Sequence, residues 1–508
     1  MKRIILLLFS FNVLVLSAQS LNDSLILSPL RNDPRVNENS FSFVLYSFKK
    51  QETLLSVNSF KPLIPASVNK LITAVSAYYY LGDDYKFNTY TYLSGEQIDN
   101  IWEGNIYIYG TGDPLIGDDF PEKNKFFDSL VYILKSMGID TIQGNIIADA
   151  SYWGSDIVPA GYDCEDLGNY YGAGASSLIY NGNVWKIGYK LTPYYGKTAI
   201  ILFTIPEFPH VIYQNKIKIA NRNYGNYSNV IGRPLDKSYI FTGTIPKGNG
   251  DTMFVKASSP DPAYGFAWKT KQSLSNNGIC VKGNIITTYN DTVIYDNKYL
   301  ILNYESMPLD SVISFTIRNS YNVGAEALAK AISKKYGDGS YKSYETLAKK
   351  MLYKYGADTT EIKIYDGSGL SRKNLLTADA LLTTLIASRN ASWYDDLNNS
   401  LAIAGVNGTL KRFLKNTPLE NNLRAKSGYL HYIRGFAGYF DIPDSMDTFA
   451  FVILVNDFKA DTKYLTKNIE AVLLNSYNEL TNIYRASKSN EDVSKISQWD
   501  FINNFITL

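Results

Sequence analysis

The middle of this chain constrains its fold more than any other part. From about residue 85 to residue 295, short aromatic and β-branched runs recur between glycines, as in Gly104-Asn105-Ile106-Tyr107-Ile108-Tyr109-Gly110 and Gly144-Asn145-Ile146-Ile147-Ala148-Asp149. Runs of this kind, bounded by turn residues, are strand signals. The pattern continues at Trp185 to Tyr189, Ala199 to Thr204, Lys216 to Ala220, Tyr239 to Thr244 and Ile285 to Tyr289, with one helical segment, Phe126 to Met137, among them. Helical spacing lies on both sides of this block. Before it, Leu71 to Leu81 contains no proline or glycine and stops at Gly82, where a helix C′ residue belongs. After it, Val323 to Tyr336, Tyr344 to Tyr355 and Ala378 to Ala387 place apolar residues close to a helical period.

The outer parts carry strands as well. Phe41 to Phe48 and Thr53 to Val57 predict a hairpin, Arg424 to Gly428 a strand, Gly435 to Phe440 with Thr448 to Val455 a second hairpin, and Lys463 to Asn475 a helix. A chain of 508 residues is long enough for two or three domains. The expectation is an α+β protein divided as 1–20, 21–84, 85–295, 296–486 and 487–508. Residues 21–84 and 296–486 form one domain in two parts, and 85–295 form a β-rich insertion of two subdomains. Residues 487–508 are a polar tail.

The first twenty residues read as a targeting segment. Lys2 and Arg3 precede an apolar run from Ile4 to Leu16, then Ser17-Ala18-Gln19-Ser20. The run is shorter than the ~20 residues that span a bilayer, so cleavage is expected over anchoring, with an exported, periplasmic product. Peripheral contact with a membrane surface and the oligomeric state stay open. A net charge of +2 without a long basic run gives no reason to expect nucleic acid. The two cysteines, Cys164 and Cys280, fit either one disulfide or two buried thiols. With only His210 and His431, both in strand-like segments, a histidine-rich metal site is excluded, and no metal or cofactor is expected.

Three short motifs carry candidate chemistry. Ser67 and Lys70 stand three apart at the start of the apolar helix, so one face of its first turn holds both side chains. A serine hydroxyl needs a neighbouring base, and a lysine serves as one only when burial or nearby positive charge lowers its pKa from about 10.4. The same S-x-x-K spacing at Ser47 to Lys50 falls in a hairpin turn. Ser320-Tyr321-Asn322 follows Val312 to Ile317, which reads as a strand, and precedes a helix that Asn322 could simply cap. Lys426-Ser427-Gly428 lies in strand sequence, where glycine lets a ligand backbone approach and where an edge lysine is otherwise common. Asp366-Gly367-Ser368-Gly369 does not extend to G-x-S-x-G and reads as a structural loop beside the site.

S-x-x-K, S-x-N and K-[ST]-G in this order are the motif set of serine acyl-transferases that bind penicillin. From about Phe43 to Leu474 the chain resembles the D-alanyl-D-alanine carboxypeptidase/endopeptidase family, the class C low-molecular-mass penicillin-binding proteins. The likeness extends to Gly110-Thr111-Gly112-Asp113-Pro114, Thr242-Gly243-Thr244-Ile245-Pro246, Asp366-Gly367-Ser368-Gly369-Leu370-Ser371 and Gly435-Phe436-Ala437-Gly438-Tyr439.

That resemblance implies a β-lactamase/transpeptidase-like catalytic domain, an antiparallel sheet with helices on both sides, with the insertion between the first and second motifs. It implies Ser67 as nucleophile, Lys70 as its base and Ser320 as proton relay. Asn322 would hold the substrate peptide, and Lys426 would keep Lys70 neutral and, with Ser427, hold the terminal carboxylate. The N–H groups of Ser67 and of Tyr429, after Gly428, would form the oxyanion hole. Asp166, within Asp163-Cys164-Glu165-Asp166, would meet an amino group of a stem peptide, its plain alternative being a loop or cap acid. Two departures from the family pattern stand out: serine at 427 in place of the commoner threonine, and Tyr321, which would narrow the cleft. The implied partners are peptidoglycan peptides and, as inhibitors, β-lactams. The rival readings are a β-lactamase or esterase with the same chemistry and a cell-wall-binding protein without catalysis.

Overall fold

A computed structural model describes residues 21–506 apart from 121–124, 222–224 and 460, so the targeting segment lies outside the described residues. Six antiparallel strands form the central sheet, in the order Ala402–Ile403, Arg424–Leu430, Ile433–Ile442, Asp447–Val455, Phe41–Ser47 and Glu52–Val57. The first and last thirds of the chain thus build one sheet, and both predicted hairpins are present. Alternation along Asp447–Val455 sends Ala450, Val452 and Leu454 to one face and Phe449, Phe451, Ile453 and Val455 to the other. Both faces are covered. The first packs against the Lys70–Leu81, Leu309–Asn319, Asn322–Tyr336 and Ala378–Arg389 helices, the second against the Asp23–Arg31 and Thr462–Ile506 helices. This is the expected antiparallel sheet with helices on both sides.

The insertion is β-rich, as its texture predicts. A five-stranded sheet runs Ile285–Thr288, Ile146–Asp149, Ile106–Gly110, Asn88–Leu93 and Tyr299–Glu305, and three smaller sheets accompany it. Tyr299–Glu305, expected to lie in the catalytic part, pairs antiparallel with Asn88–Leu93 and is hydrogen-bonded into the inserted sheet. A second long helix, Pro262–Asn276, accompanies the expected one at Lys125–Ser136. Its signal was local: the Asp261 side chain accepts from the Tyr264 N–H, and proline follows at the first helical position.

Several local expectations change. Val312 to Ile317 is not a strand but part of the Leu309–Asn319 helix, which buries Leu309, Val312, Ile313, Thr316 and Ile317. The β-branched residues suggested a strand, and burial at helical spacing prevailed. His210 and His431 both sit in turns. Cys164 and Cys280 are free and exposed. The polar tail is not separate, because the last helix runs on to Ile506. No helix among the described residues is long and apolar enough to cross a membrane.

Candidate active site

Ser67 sits in a 3-10 turn, Ala66–Asn69, that leads directly into the Lys70–Leu81 helix. Ala66 has φ near +47°, a left-handed conformation that costs a non-glycine residue about 1–2 kcal/mol. Two glycines make room for this turn. A Cβ on Gly428 would lie 2.7 Å from the Pro65 carbonyl oxygen, and one on Gly369 would lie 1.9 Å from that of Ala66. Gly428 therefore admits the nucleophile's own turn, where the sequence pointed to a ligand backbone.

Lys70 is fully buried. Its Nζ lies 3.0 Å from Ser67 Oγ, 2.7 Å from Asn322 Oδ1 and 2.7 Å from the Ser368 carbonyl oxygen. The Asn322 amide is oriented by its Nδ2, which donates to the Tyr171 carbonyl at 2.8 Å. Asn322 Oδ1 and the Ser368 carbonyl can only accept, whereas the serine hydroxyl can donate. A neutral amine has two N–H groups for the first two and a lone pair for the third. The arrangement thus matches Lys70 as a base aimed at Ser67. Burial brings its pKa down to about 7, against the opposing pull of Glu326 and Asp366.

The second motif occupies a tight turn between two helices. Ser320 adopts φ 55° and ψ 42°, and the Ser320 hydroxyl accepts from Lys426 Nζ at 3.0 Å. The helix N-cap position is Tyr321, without a side-chain cap, so the capping reading of Asn322 does not hold. The Tyr321 hydroxyl donates to the Pro114 carbonyl at 2.9 Å, and its ring packs on Phe120 and Phe315.

Lys426 is fully buried too, and its Nζ also donates to the Ser427 carbonyl at 2.6 Å. Burial first, then repulsion from Lys70 and Arg434, pushes its pKa well down. Burial and the charge of Lys426 were both expected to lower Lys70, and burial acts on each lysine most strongly. Ser427 Oγ donates to Thr409 Oγ1 at 2.7 Å, a partner with no sequence signal. The Leu423 carbonyl accepts from Ala404 N–H, so by the two-residue period Tyr429 N–H faces the same side of its strand. That side is open beyond Ala425, because Ala402–Ile403 pairs only with Arg424 and Ala425.

Two further buried groups underlie the site. Glu326 accepts from Gly367 N–H at 2.9 Å, from Ser368 N–H at 2.8 Å and from the Tyr162 hydroxyl at 2.8 Å. Asp366 accepts from the N–H groups of Gly369 and Ser371 at 2.7 and 2.6 Å. Burial raises both carboxyls, Asp366 to about 7. Together they hold the loop whose Ser368 carbonyl meets Lys70. The loop was legible as lying beside the site, but its carboxylates were not: Glu326 looks in sequence like any acid in a helix.

Asp166 is half-buried in the four-residue Cys164–Leu167 helix. Burial raises its carboxyl, while a hydrogen bond with the Tyr171 side chain opposes the rise. It is linked to the three motifs through Tyr171, whose carbonyl meets Asn322.

Residues 25–476 match the model of the D-Ala-D-Ala carboxypeptidase 3 (S13) family. A D-alanyl-D-alanine carboxypeptidase of Actinomadura sp. is 26% identical over 457 residues, 88% of this chain and 83% of that protein. The D-alanyl-D-alanine carboxypeptidase DacB of Haemophilus influenzae is 25% identical over 449 residues, 86% of this chain and 90% of that protein. The crystal structure of penicillin-binding protein 4 from Haemophilus influenzae superposes with a TM-score of 0.74 at 23% identity, covering 89% of this chain and 99% of that one.

Proposed function

We propose that this chain, which belongs to the D-Ala-D-Ala carboxypeptidase 3 (S13) family, cleaves D-alanyl peptides of peptidoglycan through an acyl-enzyme on Ser67. The observation that carries this reading is the placement of Lys70 Nζ, 3.0 Å from Ser67 Oγ and fixed by two acceptor-only oxygens. Lys70 takes the Ser67 proton as Oγ bonds to the carbonyl carbon of the penultimate D-alanine. The N–H groups of Ser67 and Tyr429 hold the oxyanion that forms. As the tetrahedral species collapses, the C–N bond breaks and the departing amine takes a proton from Ser320, which is hydrogen-bonded by Lys426; the proton that Lys70 took from Ser67 replaces it on Ser320, leaving Lys70 neutral again. Water then attacks the ester, losing its proton to Lys70, and Ser67 recovers its own.

Asn322 positions the peptide amide, Lys426 and Ser427 receive the terminal carboxylate, and Asp166 meets an amino group on the stem peptide. Endopeptidase cleavage is the same sequence with the amine of a cross-linked second stem as leaving group. A β-lactam enters by the same attack, its ring amide taking the place of the peptide bond. Residues 1–20 direct export to the periplasm, where this substrate lies. The test is D-alanine release from a soluble peptide ending in D-alanyl-D-alanine. Release by the wild type and loss in Ser67→Ala are expected. Equal, background release from both proteins overturns the reading in favour of a wall-binding protein, and fast penicillin turnover without D-alanine release favours a β-lactamase.

A further inference from the structure

Residues 184–258 carry ten Lys and Arg against three Asp and Glu. The chain as a whole is +2, so this stretch is strongly basic and the remainder net negative. It contains a three-stranded sheet in the order Ile200–Ile205, Val184–Lys190, Thr252–Ser258. One face of that sheet buries Trp185, Ile187, Tyr189 and Val255. The other face follows from the register. Lys190 lies between Ile200 and Thr252, Gly188 between Phe203 and Phe254, and Lys186 between Ile205 and Lys256. The Phe203 and Phe254 rings are 5.9 Å apart, and the two residues remain 41% and 43% exposed. A Cβ on Gly188 would lie 2.9 Å from the Phe203 ring, so glycine lets that ring lie down over the middle strand. Lys186 is held by Asp119 at 2.7 Å, whereas Lys190 and Lys256 are exposed.

This face continues into the rim of the Ser67 site. Lys256 Nζ stands 5.9 Å from the centre of the Tyr170 ring, Tyr170 packs edge-on against Tyr171 at 5.5 Å, and the Tyr171 carbonyl accepts from Asn322. We infer that the outer face of this sheet is an exosite for the polymeric substrate. It holds a neighbouring stretch of peptidoglycan by the carboxylates of its stem peptides on Lys190 and Lys256. The apolar faces of its sugar rings lie on Phe203 and Phe254 while one stem occupies the site. The inference rests on the reading under Proposed function. Continuity with the rim favours the polymer over a lipid surface, which gains nothing by adjoining Asn322.

The test is co-sedimentation of the purified protein with insoluble peptidoglycan sacculi, run beside benzylpenicillin acylation as a separate report on Ser67. Two variants are compared with wild type, Lys190→Glu with Lys256→Glu, and Phe203→Ser with Phe254→Ser; all four side chains are exposed, so neither variant opens the core. The expected result is sedimentation weakened about tenfold in both variants, a loss matched in wild type by raised salt, with acylation retained. Undiminished sedimentation of both variants overturns the exosite. So does a loss of binding to vesicles of anionic phospholipid with sacculus binding intact, which assigns the face to a membrane. Absence of acylation in the wild type would instead count against the Ser67 reading, leaving the sedimentation result to be read alone.

Discussion

Lys70 Nζ and Ser67 Oγ are 3.0 Å apart at the foot of a buried helix, and the lysine has no exposed surface. Burial brings the lysine down to about 7. The reactive form is the neutral amine, which prevails above that pKa, so acylation requires deprotonation. The rate of penicillin acylation at low antibiotic concentration should therefore climb with pH up to about 7 and level off above it, falling about tenfold per unit on the acid side. Stopped-flow acylation across pH 5–9 checks this, pH 5–9 being roughly the range over which such limbs are resolved. A flat profile contradicts it.

Glu326 acts on Lys70 through the Ser368 loop and through its own negative potential, which raises the lysine. Removing the charge in Glu326→Gln should shift the acid limb of the same profile to lower pH. The amide also cannot accept all three donors that the carboxylate does, at a stability cost of about 1–3 kcal/mol. A variant that only loses stability, with the limb unmoved, would show that Glu326 merely supports the loop.

Gly428→Ala should disturb the nucleophile rather than the ligand. Its Cβ would lie 2.7 Å from the Pro65 carbonyl oxygen and 3.0 Å from Val68 Cγ2, both in the Ser67 turn. Overpacking of this kind costs about 1–3 kcal/mol, and the variant should show a lowered melting temperature together with slowed acylation. Unchanged values of both would mean that the turn yields without consequence.

Much of this arrangement was readable in the chain. S-x-x-K at the start of an apolar, glycine-free run fixes a buried lysine three residues after a serine, and both sheet hairpins follow from their alternation. What could not be read depends on distance in space. The Val312 to Ile317 segment is β-branched and local propensity favours a strand, yet helical burial against the Lys70–Leu81 helix decided otherwise. Glu326, Thr409 and Tyr171 lie far in sequence from their partners Ser368, Ser427 and Asn322, or carry no motif of their own. Asn322 looked like a cap because a cap and a ligand to Lys70 have the same residue preference at a helix start; only the packing of two helices onto one lysine separates them.

Ser320→Ala removes the hydroxyl that accepts from Lys426 at 3.0 Å. Acylation should slow by about 10²–10⁴-fold, the usual contribution of a positioned proton donor. Loss of the noncovalent affinity alone, with the limiting acylation rate preserved, would move Ser320 from proton transfer to binding. Rate constants measured against penicillin concentration separate the two.

The central claim is that Ser67 is the nucleophile. Brief incubation with benzylpenicillin, followed by mass spectrometry of the intact protein and peptide mapping, tests it most directly. The account predicts one covalent penicilloyl adduct, mapped to Ser67 and absent from Ser67→Ala. An adduct on another residue, or neither adduct nor penicillin turnover, would contradict it.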